Sequence, residues 1–127
     1  EPEPIETLIK TSPLIEQAVI VGQDQKALGV LIVPSNDALE HAVSKSEWQI
    51  EGDVLRSEEV RALYRKELDR IITRENGCRP TDRVATLQVL AEALTPDNGM
   101  LTQTMKVRRH MITKHYANVI TSLFDRS

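Results

Sequence analysis

Between Thr95 and Arg109 the chain reads T-P-D-N-G-M-L-T-Q-T-M-K-V-R-R, a turn that delivers a lysine. Pro96, Asp97, Asn98 and Gly99 accept tight-turn geometry, and Asn98-Gly99 is the strongest short turn signal in the chain. Thr102, Gln103, Thr104 and Lys106 follow, with Arg108 and Arg109 at the mouth of an expected helix. Hydroxyl, amide and ammonium donors beside a turn suit an anion such as a carboxylate or phosphate. The same spacing also describes a hairpin tip with a solvated basic helix start. Spacing alone leaves both open.

The elements that must hold this stretch follow from hydrophobic periodicity. Glu3-Pro4 predicts a short helix with Ile5, Leu8 and Ile9 on one face, stopped at Thr11-Ser12-Pro13. Residues 15–21 and 28–33 read as two strands of an antiparallel hairpin turning through Gly22 to Lys26, with Asp24 and Lys26 as solvated turn residues. Their nearly continuous β-branched runs suit strands covered on both faces. Asn36 is the expected cap of a short helix carrying Leu39, Ala42 and Val43, and His41 on it reads as a surface residue. From Ser44 to Gly52 the chain is polar apart from Trp48 and Ile50, which predicts a loop anchored by Trp48.

Ser57 then caps the longest expected helix. Its apolar face holds Val60, Leu63, Tyr64, Leu68, Ile71 and Ile72, and Asn76-Gly77 closes it. Residues 84–90 predict a third strand, and a last helix from about Arg108 to Phe124 sets Ile112, Tyr116, Val119, Ile120, Leu123 and Phe124 on one core-facing stripe. The expected fold is α+β: a small, mostly antiparallel three-stranded sheet packed with helices, plus a hairpin-like loop bearing the lysine.

Composition bounds what such a domain does. With 127 residues the chain predicts one domain, large enough for a core and small for a complete two-substrate enzyme. Four aromatics leave little to stack on nucleobases, and the single Cys78 excludes an intrachain disulfide and a cysteine-built metal site. No metal ligands are assigned. No apolar run is long enough to span a bilayer, so the expected location is cytoplasmic, with peripheral membrane contact left open. Charge is uneven. Residues 1–60 carry 12 acids against 4 bases, and residues 61–127 carry 7 acids against 12 bases. Arg61, Arg65, Arg70 and Arg74 recur along the expected long helix, either as a solvated face or as a field for an anionic partner.

The run Leu101 to Arg109 resembles the last core motif of the acyl-adenylate-forming superfamily, T-x-x-G-K-x-x-R, with Thr102, Lys106 and Arg109 on the motif positions. Met105 departs from it, standing where most members carry glycine. The N-G-x-L-T-x-T-x-K-x-R-R wording is similar to the long-chain fatty acyl-CoA synthetases and their acyl-carrier-protein synthetase relatives. Glu1 to Glu6 resembles the tail of the family's G-x-x-I-x-P-x-E-I-E segment, with Pro2, Ile5 and Glu6 in place and Pro4 replacing a glutamate. Val21 to Asp24 and Leu28 to Pro34 also resemble that branch's small domain.

The resemblance implies a mobile C-terminal lid of an AMP-forming long-chain fatty acid ligase. Lys106 would take the adenylating lysine's role, Thr102, Gln103 and Thr104 would shape the loop beside the nucleotide, and Gly99 and Arg109 would support it. ATP and Mg2+ would be held mainly by a large N-terminal adenylation domain, the partner of this one. Fatty acid and either coenzyme A or acyl carrier protein would be the other substrates, and the hinge and thiolation loop would lie just upstream of Glu1. Taken alone, the chain is expected to be inactive. A free-standing small-molecule-binding or dimerisation module is the alternative reading. Nucleic-acid binding is weak without aromatics. An upstream reading frame with a phosphate-binding loop would separate the first two.

Overall fold

The two β-branched runs become neighbouring strands of a sheet buried on both faces. In the computed structural model, which describes residues 1–125, they are β1 (Ile15–Val21) and β2 (Leu28–Pro34), paired antiparallel. Along them side chains alternate between two separate cores, because successive Cβ atoms point to opposite faces. Ala18, Ile20, Val30 and Ile32 enter the first core. Val19, Val21, Leu31 and Val33 enter the second.

Helices cover each face. The first core is closed by α1 (Glu3–Ile9), α2 (Asn36–Ala42) and α3 (Glu58–Ile71), through Ile5 and Ile9, Leu39, and Val60, Tyr64 and Leu68. Tyr64 satisfies its buried hydroxyl by donating to the Leu14 carbonyl at 2.8 Å, and burial pushes its phenol well above the ordinary value. The second core is closed by α4 (Arg109–His115) and α5 (Ala117–Phe124), with Ile112 and Tyr116 fully inside.

The α+β architecture expected from the sequence is present, with one refinement. The third strand, β5 (Val84–Val89), lies beside β2 and runs parallel to it, so the sheet order is β1-β2-β5 and the sheet is mixed. A long crossover makes this possible, since parallel neighbours need a connection of a dozen or more residues. That crossover contains α2, α3 and a small second sheet, β3 (Gln49–Glu51) paired antiparallel with β4 (Val54–Arg56). The 44–52 segment is therefore a helical turn and a strand rather than a loop. Three-residue strands are too short to show alternation. Trp48 does anchor it, donating from its indole N–H to the Val43 carbonyl at 3.0 Å.

Three helix boundaries differ from expectation. Ser35 rather than Asn36 sits at the N-terminus of α2. The long helix has its Ser57 cap, with the hydroxyl accepting from the Val60 N–H, but ends at Ile71. Local polar groups compete there: Asn76 donates to the Ile71 carbonyl at 2.8 Å while Thr73 Oγ1 accepts the Asn76 N–H. The last helix bends at Tyr116 into α4 and α5. The bend lets Ile112 and Tyr116 fill the second core while α5 carries Leu123 and Phe124 across the β1–β2 hairpin.

Phe124 lies over Gly22 and Gly29. A Cβ at Gly29 would sit 3.0 Å from the Phe124 ring, and one at Gly22, where φ is +77°, would overlap the ring outright. Gly22→Ala should therefore combine left-handed strain with displacement of a packed aromatic, lowering stability by about 2–3 kcal/mol. Gly77→Ala carries the same strain (φ +88°) in open space and should cost only about 1 kcal/mol. Urea unfolding of the two variants gives the comparison, and equal losses would mean the Phe124 contact contributes nothing.

Candidate functional site

The lysine-bearing stretch is a hairpin-like loop with a buried base and an exposed tip. Met100 and Leu101 lie in the second core and Val107 packs against it, while every residue from Thr102 to Lys106 is exposed. Leu101 and Val107 form an isolated antiparallel bridge, and the Arg108 N–H donates to the Met100 carbonyl at 2.9 Å. Apolar roots thus carry a polar tip outward.

Inside the tip, Thr102 brackets the lysine's backbone from both sides. Its N–H donates to the Lys106 carbonyl at 2.8 Å, and its Oγ1 accepts the Lys106 N–H at 3.0 Å. The Met105 N–H donates to the Thr102 carbonyl at 2.9 Å, and the hydroxyls of Thr102 and Thr104 lie 3.1 Å apart. Gln103 occupies the exposed turn between them. These bonds fix the Lys106 backbone and leave its ammonium without an acidic partner among the described residues.

Met105 holds φ at +69°, the only non-glycine residue with a positive φ among those described. The backbone here needs the left-handed region, which explains why glycine suits this position and marks methionine as strained. The Met105 side chain is 62% exposed, so packing does not offset the strain.

The approach to the loop is pinned from several directions. Asn98 Oδ1 accepts from the N–H groups of Thr95 and Met100, and its amide donates to the Ala93 carbonyl. Gly99 takes φ +83° in this turn, and its carbonyl accepts from the Arg108 guanidinium at 3.2 Å. Gln17 on β1 exchanges two hydrogen bonds with the backbone of Leu94, at 2.9 and 2.8 Å. Gln17 was not singled out by motif; the one available signal for it was a polar residue interrupting an apolar strand.

Arg109, the first residue of α4, turns away from the lysine tip toward α1. Its guanidinium forms a two-pronged ion pair with Glu6 at 2.9 and 2.8 Å. Glu6 is 6% exposed, and its Oε2 also accepts the Ile20 N–H at 2.7 Å, on the open edge of β1. The two segments that carry the motif resemblance are therefore joined by one buried carboxylate.

Two measurements probe this geometry. Met105→Gly should hold or raise the unfolding midpoint, whereas Met105→Val should lower stability by about 1–2 kcal/mol, β-branching being least tolerant of positive φ. Arg109→Ala should cost about 2–3 kcal/mol, below the range of about 3–5 kcal/mol for stranding a fully buried charge because Arg109 is itself one-third exposed. Denaturant titrations check both, and an unchanged midpoint for Arg109→Ala would show that Glu6 is satisfied without it.

Known proteins match nearly all of this chain. Residues 1–127 match the family model described as the AMP-binding enzyme C-terminal domain. A probable chloroplastic acyl-activating enzyme of Arabidopsis thaliana is 32% identical over 98% of the chain, which spans 17% of that protein. A chloroplastic long-chain-fatty-acid–[acyl-carrier-protein] ligase from the same plant is also 32% identical over 98%, with 15% of it spanned. A long-chain-fatty-acid–CoA ligase of Mycobacterium tuberculosis is 28% identical, with 21% of it spanned. Among solved structures, an adenylation and carrier didomain of carboxylic acid reductase from Segniliparus rugosus, in complex with AMP, superposes with a TM-score of 0.76 at 24% identity. That superposition covers 96% of this chain and 15% of the other. On a match that runs from first residue to last, the chain belongs to the AMP-binding enzyme C-terminal domain family.

Proposed function

We propose that the chain is the moving C-terminal lid of an AMP-forming long-chain fatty acid ligase and supplies its adenylating lysine. The observation that carries this reading is the geometry of Lys106: a backbone held by Thr102 on a loop rooted in the core, with a free ammonium at the tip. In the first half-reaction a fatty acid carboxylate attacks the α-phosphate of ATP, forming acyl-adenylate and releasing pyrophosphate. Two anions approach, so the transition state needs positive charge already in place. Lys106 supplies it between the carboxylate and a phosphate or ribose oxygen. Thr102, Gln103 and Thr104, exposed on the same tip, would shape the loop beside the same nucleotide.

In the second half-reaction the acceptor thiol, of coenzyme A or acyl carrier protein, loses its proton, attacks the acyl carbonyl and expels AMP. Here the lid turns about a hinge upstream of Glu1 and shows another face, so the lysine leaves the site. ATP and Mg2+ are held mainly by an N-terminal adenylation domain, the lid's partner. The share of each relative's length that this chain spans supports such a division of labour. Arg109 and Gly99 act as support: one ties the start of α4 to Glu6, the other forms the turn that Arg108 grips.

Two outcomes test this. The isolated chain should give only background ATP–pyrophosphate exchange with fatty acids, and robust exchange would refute the division of labour. In the full-length enzyme Lys106→Ala should slow adenylate formation by at least about a hundredfold, the scale for losing one transition-state charge donor. Conversion of supplied acyl-adenylate to thioester should stay near wild type. Lys106→Arg should rescue poorly, a planar guanidinium replacing a compact ammonium, and Lys114→Ala should leave both steps intact. Equal losses in both half-reactions would make Lys106 structural.

A further inference from the structure

The lysine loop is tied to the sheet at both of its ends, and both ties lead to β1. On the descending side Arg109 pairs with Glu6, whose Oε2 takes the Ile20 N–H. On the ascending side the tie is Gln17. By strand alternation its side chain lies on the face of β1 shared with Val19 and Val21, toward the second core, where Leu94 is buried. The Gln17 amide donates to the Leu94 carbonyl at 2.9 Å and accepts the Leu94 N–H at 2.8 Å. One side-chain amide thus engages both hydrogen-bonding groups of one residue's backbone, as a neighbouring strand would.

From Leu94 a run of backbone contacts leads to the lysine. The carbonyl of the next residue, Thr95, accepts the N–H groups of Met100 and Leu101, both at 3.2 Å. Leu101 is bridged to Val107, and Thr102 brackets the Lys106 backbone. Asn98 and Arg108 bond to residues of this same stretch, so they hold its shape. Gln17 bonds it to the sheet, so it sets where that shape stands. Burial alone does not account for an amide here. Half-buried against an apolar core, the amide loses water on entry and recovers that loss through its two directional bonds.

We propose, taking Lys106 as the adenylating lysine, that Gln17 is its positioning residue: the amide on β1 sets the height at which the loop leaves the sheet, and with it the place of the Lys106 ammonium in the closed lid. Gln17 acts through the backbone between Leu94 and Lys106. Catalysis by a charge already in place tolerates little displacement, a misplacement of about 1 Å costing on the order of a hundredfold.

Gln17→Met keeps the length of the side chain and removes both bonds. In the full-length enzyme it should lower kcat of adenylate formation by on the order of tenfold, with KM for ATP and fatty acid held within about twofold. Conversion of supplied acyl-adenylate to thioester should stay near wild type. Added to Lys106→Ala, it should slow adenylation no further, since no ammonium is then left to misplace. Gly77→Ala, which strains a turn remote from the loop, should keep the wild-type adenylation rate and so separates lost stability from lost position. In the 127-residue chain, Gln17→Met should quicken amide exchange at Met100 and Leu101 by on the order of tenfold. Gln17→Asn, whose amide falls one methylene short of Leu94, should give the same pattern and stands in if Gln17→Met does not fold. Unchanged exchange at Met100 and Leu101 would overturn the proposal, as would equal losses in the two half-reactions or additive losses with Lys106→Ala. Intact adenylation in Lys106→Ala would instead remove the lid reading, and exchange in the chain would then decide the Gln17 clamp alone.

Discussion

Glu6 places a carboxylate where water scarcely reaches, and the surrounding structure is arranged to satisfy it. A buried, unpartnered carboxylate costs several kcal/mol, so its oxygens must find donors before the chain can close around them. Two donors are found. The Arg109 guanidinium supplies two parallel hydrogen bonds, and the Ile20 N–H supplies a third. The second of these matters for the sheet, since β1 is an edge strand and the Ile20 N–H would otherwise be left open along it. One side chain thereby fixes α1 against β1 and sets where α4 begins. The lysine loop ends at that point, so its C-terminal anchor is positioned by a residue at the other end of the chain.

The loop itself divides its tasks between burial and exposure. Met100 and Leu101 hold the ascending limb in the second core, Val107 packs the descending limb, and Thr102 closes the neck with two hydrogen bonds. Positioning a cation in this way limits the side-chain and backbone freedom that must be lost when an anion arrives. The local cost is visible at Met105, whose left-handed backbone is bracketed by the hydrogen bonds of the turn. A glycine would relax that strain and also loosen the turn.

Charge is distributed by the same logic of commitment. Most arginines along α3 are answered locally, Arg65 by Asp69 and Arg70 by Glu67, and such exposed pairs contribute little to stability. Glu67 is held below the ordinary carboxylate range by Arg70, and it also accepts a hydrogen bond from the Ser12 hydroxyl. Arg74, in the turn after α3, and Arg83, just before β5, have no carboxylate within 4 Å among the described residues.

Much of this was legible in the residues themselves. Two β-branched runs specified strands buried on both faces, because no polar alternation existed to leave one face wet, and Ser57 with its apolar stripe specified α3. The turn chemistry of Asn98-Gly99 and the threonines around Lys106 marked a hairpin-like loop, since short-range hydrogen bonding and backbone conformation are local properties. Four features depended on contacts between distant segments. The parallel placement of β5 was decided by where α3 packs, as nothing within a strand records the direction of its neighbour. The bend at Tyr116 arose because Ile112 and Tyr116 must fill one core while Phe124 covers two glycines of a distant hairpin. The ion pair between Glu6 and Arg109 and the clamp from Gln17 to Leu94 join residues remote along the chain, and only the closing of the two cores brings their polar atoms within hydrogen-bonding reach.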